Sequence, residues 1–389
     1  MKSKVLILAL GLLILSVFLG IEVSAKETIS IENKLTIKNK YFKQQEYNLK
    51  YPCLNSLQQE YSQNVKGVYV NLWTLSHPAK RKKIIKAITE SELNAIVIDL
   101  KDIKGRTPFM LNPLKEFSYN VERKELKALI SQWQKKGIYV IGRIAVFKDE
   151  ALASQDSKKS LKYIMDTGQG WSLVDSNEWT NPFSKAVWNY NINIATKMAA
   201  LGLDEIQFDY IRFPTLRKNS KLVIRNDDKL SRTDAITGFL QEAVKKLNKY
   251  NVIVSADLFG LTTTASDDLG IGQNIIKIAQ QVDYISPMLY PSHYNEGIYG
   301  IENPAASPYQ VIANSLADAK EKLGSNSIKI RPWLQDFSLY HVYTKKEIKD
   351  QIKAVQDNNL SGWLLWNPKS KYTIEALIPD KKRGSKDES

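Results

Sequence analysis

Leu203-Asp-Glu-Ile-Gln-Phe-Asp209-Tyr-Ile-Arg-Phe-Pro214 reads as a strand with two unlike faces. Successive strand side chains point to opposite sides, so Ile206 and Phe208 share one face while Gln207 and Asp209 share the other. Three further runs repeat the pattern. Ile96, Ile98 and Leu100 oppose Val97, Asp99 and Lys101; Val254, Ala256 and Leu258 oppose Ser255, Asp257 and Phe259; Ile330, Pro332 and Leu334 oppose Arg331, Trp333 and Gln335. An aliphatic face suits packing against helices. The mixed face is therefore expected to point into a closed barrel, with its polar members gathered at the carboxyl ends of the strands, where barrel enzymes place their chemistry.

Working outward, β-rich runs appear at 67–73, 95–102, 139–147, 205–214, 253–260, 284–291, 328–336 and 362–368. Helical stretches fall between them, at about 78–92, 121–136, 184–201, 231–250, 273–280, 307–323 and 344–358. Strands alternating with helices in this way predict an α/β fold, a single-domain (β/α)8 TIM barrel over 65–379. An open doubly wound sheet is the competing topology. It normally carries a Gly-rich phosphate turn after its first strand, and here that position reads Thr74-Leu75-Ser76-His77-Pro78.

The flanks differ from this middle. Lys2 and Lys4 precede the apolar run Val5–Gly20 and the small-residue stretch Val23-Ser24-Ala25, which reads as a signal peptide over 1–25. The run is short for a membrane span, which needs roughly 20 apolar residues. Export is thus expected, with membrane contact only if this segment is retained as an anchor. Residues 26–64 read as a linker and lead-in segment, and 380–389 as a charged tail. The chain of 389 residues carries 55 Lys+Arg against 41 Asp+Glu, a formal charge of +14. In an exported protein this excess points to anionic cell-wall polymers, or simply to solubility, rather than to nucleic acid. One cysteine excludes an internal disulfide, and three histidines with no cysteine cluster argue against a zinc site. No Gly-x-Ser-x-Gly elbow, Walker loop or His-Glu-x-x-His occurs.

The carboxylates remain. Cleaving a glycosidic bond takes two carboxyl groups, one to protonate the leaving oxygen and one to attack the anomeric carbon or activate water. Asp209 and Asp257, ending adjacent strands, are the candidate catalytic pair. Arg143 on the third strand is expected to hold Asp209 charged, as an opposite charge within about 4–6 Å does, making Asp209 the nucleophile or cation stabiliser. Asp257, near Phe259, is the candidate acid/base with a raised pKa. Asp99, expected across the mouth, joins Lys101, Arg143, Tyr210, Arg212, Tyr290, Trp333, Gln335 and Trp366 as candidate substrate-binding groups. Trp73 is a further aromatic near a strand end, and such rings stack on sugar C–H faces. Any of these aspartates could instead cap a helix or pair with an arginine, and the rings could simply fill the barrel. Asp204 and Asp283 read as structural turn residues and Asp336 as outward-facing; His77 and His293 follow strands 1 and 6 in loops, where either could bind substrate but is more simply incidental. The long segment 148–183, with Gly168, Gly170, Trp171 and Trp179, is expected to wall the substrate site.

These pieces resemble a family of glycoside hydrolases of exported bacterial proteins. The likeness spans roughly 66–370 and is carried by Gly67-Val-Tyr-Val-Asn71, Ala95-Ile-Val-Ile-Asp-Leu-Lys-Asp102, the 203–214 run, Ser255-Ala-Asp257-Leu-Phe-Gly260, Asp283-Tyr-Ile-Ser-Pro-Met-Leu-Tyr-Pro291 and Gly362-Trp-Leu-Leu-Trp366. The resemblance implies a (β/α)8 barrel with glycosidase activity. A looser likeness to the family 18 chitinases rests on Met288-Leu-Tyr290 and the acidic fourth strand. Their signature places a catalytic Glu two residues beyond its last Asp, and here that position is Ile211. Their substrate-assisted mechanism is therefore not carried over, and a strand-4 aspartate as in retaining α-glycosidase barrels is the closer analogy. The expectation is a secreted glycosidase acting on a carbohydrate polymer, with no metal or organic cofactor required. A catalytically silent barrel that binds wall polysaccharide is the rival. A metal-dependent deacetylase lacks a convincing Asp–His pair.

Overall fold

A computed structural model of the protein describes residues 62–108, 121–166, 171–215, 220–223 and 226–378. The signal segment, nearly all of the linker and the charged tail lie outside the described residues. No helix among the described residues is long and apolar enough to cross a membrane.

Eleven strands are described: β1 (Lys66–Val70), β2 (Ala95–Lys101), β3 (Tyr139–Ala145), β4 (Ser160–Asp166), β5 (Trp171–Thr180), β6 (Glu205–Asp209), β7 (Ser220–Val223), β8 (Ile253–Phe259), β9 (Tyr284–Met288), β10 (Trp333–Gln335) and β11 (Trp363–Trp366). Eight close into a parallel barrel in the order β1-β2-β3-β6-β8-β9-β10-β11, and β11 pairs back onto β1. This is the (β/α)8 barrel that the alternating faces predict. Helices such as Pro78–Thr89, Arg123–Gln134, Lys185–Ala199, Arg232–Leu247, Pro308–Leu323 and Lys345–Asp357 surround it.

The two faces build two cores. Outside the barrel, Ile96, Ile98, Leu100, Ile206, Phe208, Val254, Ala256 and Leu258 pack against the helices. Inside, Tyr69, Val97, Tyr139, Ile141, Trp333 and Leu364 form a separate apolar cluster. Below that cluster, at the amino-terminal end of the strands, Glu205 accepts from Arg331 and Ser255, and from the Tyr139 hydroxyl at 3.0 Å. A fully buried ion pair thus plugs the barrel floor.

Several expected strands end early, each for a local reason. Asn71 caps a short helix, Leu72–Ser76, by accepting the Thr74 N–H at 2.8 Å, so Trp73 lies on that helix rather than on a strand end. The fourth barrel strand stops at Asp209 because Tyr210 takes a left-handed φ of 51°. The seventh keeps only Trp333–Gln335, since Gly324–Lys329 winds into a 3-10 segment and Ile330 makes an isolated bridge to Ile285.

The long segment after β3 is not a plain loop. β4 and β5 form an antiparallel pair, and β7, from the connection after β6, adds to β4. Gly168 and Gly170 lie outside the described residues, as does the side chain of Trp171.

Candidate active site

Arg143 organises the mouth of the barrel. Its Cα partner on β2 is Asp99, and on the other side it pairs with Gln207, two residues before Asp209. From this position Nη1 donates to Asp99 Oδ1 at 2.5 Å, while Nη2 and Nε donate to Asp209 Oδ2 at 2.6 and 3.0 Å. Nε also lies 4.0 Å from Asp257 Oδ2. Asp99 and Asp209 therefore share one guanidinium instead of facing each other across an open mouth.

Each carboxyl has a further partner. Asp99 Oδ2 accepts from the Tyr69 hydroxyl at 2.5 Å, Asp209 Oδ1 from the Tyr210 N–H at 2.5 Å, and Asp257 Oδ1 from Trp333 Nε1 at 2.8 Å. The left-handed turn at Tyr210 is what aims that N–H back at Asp209; for a non-glycine residue it costs on the order of 1 kcal/mol. Asp257 Oδ2 is buried with no hydrogen-bond partner among the described residues.

Burial pushes the Asp99 carboxyl up to about 6, against the pull of Arg143 and the Tyr69 hydroxyl. Burial pushes Asp257 well above the carboxylate range, and the charge of Asp209 acts in the same direction; Arg143 and the Trp333 donor oppose them. Burial also works against the charged form of Arg143, but Asp209 and Asp99 outweigh it and hold its pKa high. One deep carboxyl thus favours its neutral form beside an aspartate bound to arginine.

Two hollows open above this cluster. The first, of about 270 Å³, is lined by Asp209, Arg212, Phe259, Met288, Tyr290, His293 and Trp333. The second, of about 290 Å³, is lined by Tyr69, Trp73, Asp99, Asp102, Lys104 and Arg106. Arg143, Tyr210 and Trp366 border both. Trp366 stacks on Tyr69 with centroids 4.0 Å apart and meets Trp333 edge-on at 5.6 Å.

Of the expected site residues, Asp99, Arg143, Asp209, Tyr210, Arg212, Tyr290, Trp333 and Trp366 border the hollows. Asp257 does not: it lies beneath, only 1% exposed, behind Trp333 and Arg143. Lys101 is placed elsewhere. A register irregularity between Asp99 and Lys101 breaks the alternation, and the Lys101 ammonium is fully buried against Asp149 at 2.5 Å. It anchors the connection after β3 and does not reach the mouth. Gln335 is buried too: its Oε1 accepts the Ser292 N–H at 3.2 Å and hydroxyl at 2.9 Å, and its Nε2 donates to the Phe337 carbonyl. It braces two rim loops.

Asp204 and Asp283 serve as strand-entry acceptors for the Val140 and Val254 N–H groups, and Asp336 faces outward to Thr373. Sequence reasoning passed over Tyr69 and underrated His293. Tyr69 was detectable, since strand alternation from Gly67 turns it inward; the loop after the sixth strand places His293 on the rim, where it lines the first hollow.

The described geometry can be set beside known proteins. A family model described as "Putative glycosyl hydrolase domain" matches residues 67–372. No curated protein matches the chain. Among solved structures, the glycoside hydrolase domain of PgaB (BpsB) from Bordetella bronchiseptica is 11% identical with a TM-score of 0.59, covering 82% of this chain and 99% of that one. The C-terminal domain of a putative chitinase from Desulfitobacterium hafniense is 11% identical with a TM-score of 0.52, covering 81% and 97%. A hypothetical protein from Ruminiclostridium thermocellum is 28% identical with a TM-score of 0.41, covering 52% and 98%. At these identities the first two establish likeness of fold. The match across 67–372 establishes kinship: the chain belongs to this family of glycosyl hydrolase domains.

Proposed function

We propose that the protein is a secreted glycoside hydrolase that cleaves a carbohydrate polymer, with anionic cell-wall polymers among its partners, and that Asp209 is the carboxylate at the reaction centre. The observation that carries this reading is the pairing of two unlike carboxyls on one arginine. Asp209 borders the first hollow as an acceptor of three N–H donors, while Asp257, 4.0 Å from the same Arg143 Nε, is buried with a free oxygen and a raised pKa. A negative group beside a proton-holding group is what glycosidic cleavage requires. A silent binding barrel gains nothing from a desolvated carboxyl oxygen that receives no hydrogen bond among the described residues.

In this reading Asp209 stabilises or attacks the anomeric carbon, and Asp257, beneath the hollow, holds the proton and must be uncovered from behind Trp333 and Arg143 to deliver it. The shared arginine limits the separation of their facing oxygens to about 7 Å. That spans the retaining spacing of about 5–5.5 Å and reaches only the short end of the inverting range. A second source of the proton is favoured by one observation: Asp99 borders the second hollow, and its pKa is pushed up to about 6. Two hollows in tandem, joined by Trp366, Tyr210 and Arg143, suit a polymer lying across the cleavage point.

The test is reducing-sugar release from a panel of α- and β-linked glucans, galactans, amino-sugar polymers and bacterial walls. Turnover by wild type, with a loss of about a thousandfold or more in Asp209→Asn (roughly 4 kcal/mol of barrier), supports the reading. Retention of polymers without release supports the silent barrel. Asp257→Asn and Asp99→Asn, compared on aryl glycosides of the sugar so identified, separate the two proton sources: loss of the true acid is largely rescued by a good leaving group.

A further inference from the structure

We infer that Arg212 reads an oxyanion on the substrate, a carboxylate or phosphate substituent of a sugar held in the hollow that Asp209 borders. The inference rests on the glycosidase reading for its class of substrate, a glycan, and adds what that glycan carries.

Arg212 differs from the other arginines of the barrel interior and its two hollows. Arg143 and Arg331 each hold a carboxylate, and Arg106 is paired with Asp102. Among the described residues Arg212, which is half-buried, donates only to the Phe213 carbonyl, at 3.1 Å, and no carboxylate pairs with it. Asp209, the nearest acid along the chain, is engaged by Arg143. The cation is nonetheless held in place, its guanidinium 4.8 Å from the Trp179 ring and 5.6 Å from the Tyr210 ring. Burial presses its pKa below the usual value, and the opposing pull of Tyr210 and Asp209 does not restore it. A cation partly withdrawn from water without a counter-ion is disfavoured, and a bound anion would relieve it.

The remaining N–H groups of Arg212 are not sealed away, and the residue lines the same hollow as Asp209. A guanidinium presents its donors as a planar fork matched to two oxygens of a carboxylate or phosphate. Lys148 lies 5.9 Å from the Tyr210 ring centroid but is paired with Glu178 at 3.3 Å, so among the described residues the unpaired cation here is Arg212. His293 adds no charge of its own, since burial favours the neutral imidazole. A neutral sugar would offer this fork hydroxyl acceptors but no counter-charge.

The test uses the full chain and matched polymers: alginate, pectate and hyaluronan, each beside its carboxyl-reduced counterpart, and a phosphomannan beside its dephosphorylated form. Affinity electrophoresis reads retention, and reducing-sugar release reads cleavage. At least one native polymer is expected to be held about tenfold more tightly than its neutral counterpart. Arg212→Gln should reduce that ratio by about tenfold, the order of one charge-assisted hydrogen-bond pair. Whether the uronate or the phosphate arm responds identifies the oxyanion. Equal retention of charged and neutral polymers overturns the inference. So does a preference unchanged in a folded Arg212→Gln, which would assign it to the overall positive charge. If Arg212→Gln fails to fold, Arg212→Lys keeps the charge and loses the fork, and a wild-type ratio there overturns the inference as well. Hydrolysis of a neutral polymer without charge preference removes this inference and leaves the glycosidase reading. Arg212-dependent retention without cleavage does the reverse.

Discussion

Trp333 reaches across from β10 to donate its indole N–H to Asp257 Oδ1 at 2.8 Å, and this is the one hydrogen bond that carboxyl receives among the described residues. The bond favours the charged form, opposing the burial that raises the pKa of Asp257. Trp333→Phe should therefore raise that pKa further, by about one unit for the loss of one bond to a charged acceptor. If Asp257 is the acid, activity needs it protonated, so the alkaline limb of kcat/KM against pH should move to higher pH. An unmoved limb would take Asp257 out of the proton-donor role.

The same carboxyl has a cost in stability. Its folded pKa lies above its unfolded one, so the folded state binds the extra proton between the two values. Stability from this group is then fully present below the ordinary carboxylate range and is lost as pH rises towards the folded pKa. Asp257→Asn should be as stable as wild type or more so at pH 7, with the gap in Tm closing as pH falls to about 4. Thermal melts across that range check it, and a variant much less stable at pH 7 would contradict it.

Removing Arg143 should do the opposite. Arg143→Ala strands Asp99 and Asp209 in a nearly dry site, each at most 4% exposed. Breaking a buried ion pair from one side costs about 3–5 kcal/mol. The stranded carboxyls recover by taking up protons, so the variant should lose less stability at pH 5 than at pH 8. Denaturant unfolding at the two pH values measures the difference.

The floor pair separates folding from chemistry. Arg331→Met leaves Glu205 buried at the amino-terminal end of the barrel, away from both hollows. A loss of about 3–5 kcal/mol is expected, with kcat of the folded fraction close to wild type. A fall in kcat matching that of Asp209→Asn would show that the floor is coupled to the mouth.

Gly260 is a steric test of the rim. A Cβ there would lie 2.3 Å from the Met288 carbonyl oxygen, a backbone atom that cannot step aside as a side chain can. Gly260→Ala should cost about 1–3 kcal/mol and, because Met288 lines the first hollow, raise KM more than it lowers kcat. Unchanged stability would mean that β9 yields at that point.

The barrel was legible in the sequence because its period is local. Whether Ile206, Phe208, Val254 or Leu258 faces a helix follows from alternation along one strand, and so did the inward turn of Asp99, Asp209 and Asp257. The positions of Asp204, Asp283 and Asp336 were likewise readable from their place beside a strand. Lys101 was misplaced because one irregularity in β2 shifts everything after it, and nothing in the composition of the run announces it. Gln335 was misplaced because its fate depends on Ser292 and Phe337, which only the closed barrel brings near.

Pairing between strands was decided by tertiary structure alone. The sequence could put Arg143 near Asp209, but not the same guanidinium on Asp99, nor Asp257 beneath it on Trp333. The third strand of the accessory sheet, Ser220–Val223, is too short to signal itself and exists because β4 offers it an edge. Periodicity is a property of neighbours along the chain, and it sufficed for the architecture and the inward-facing residues. Which of those residues share a proton, a charge or a cavity depends on closure of the barrel, where side chains from β2, β3, β6, β8 and β10 meet within a few ångströms.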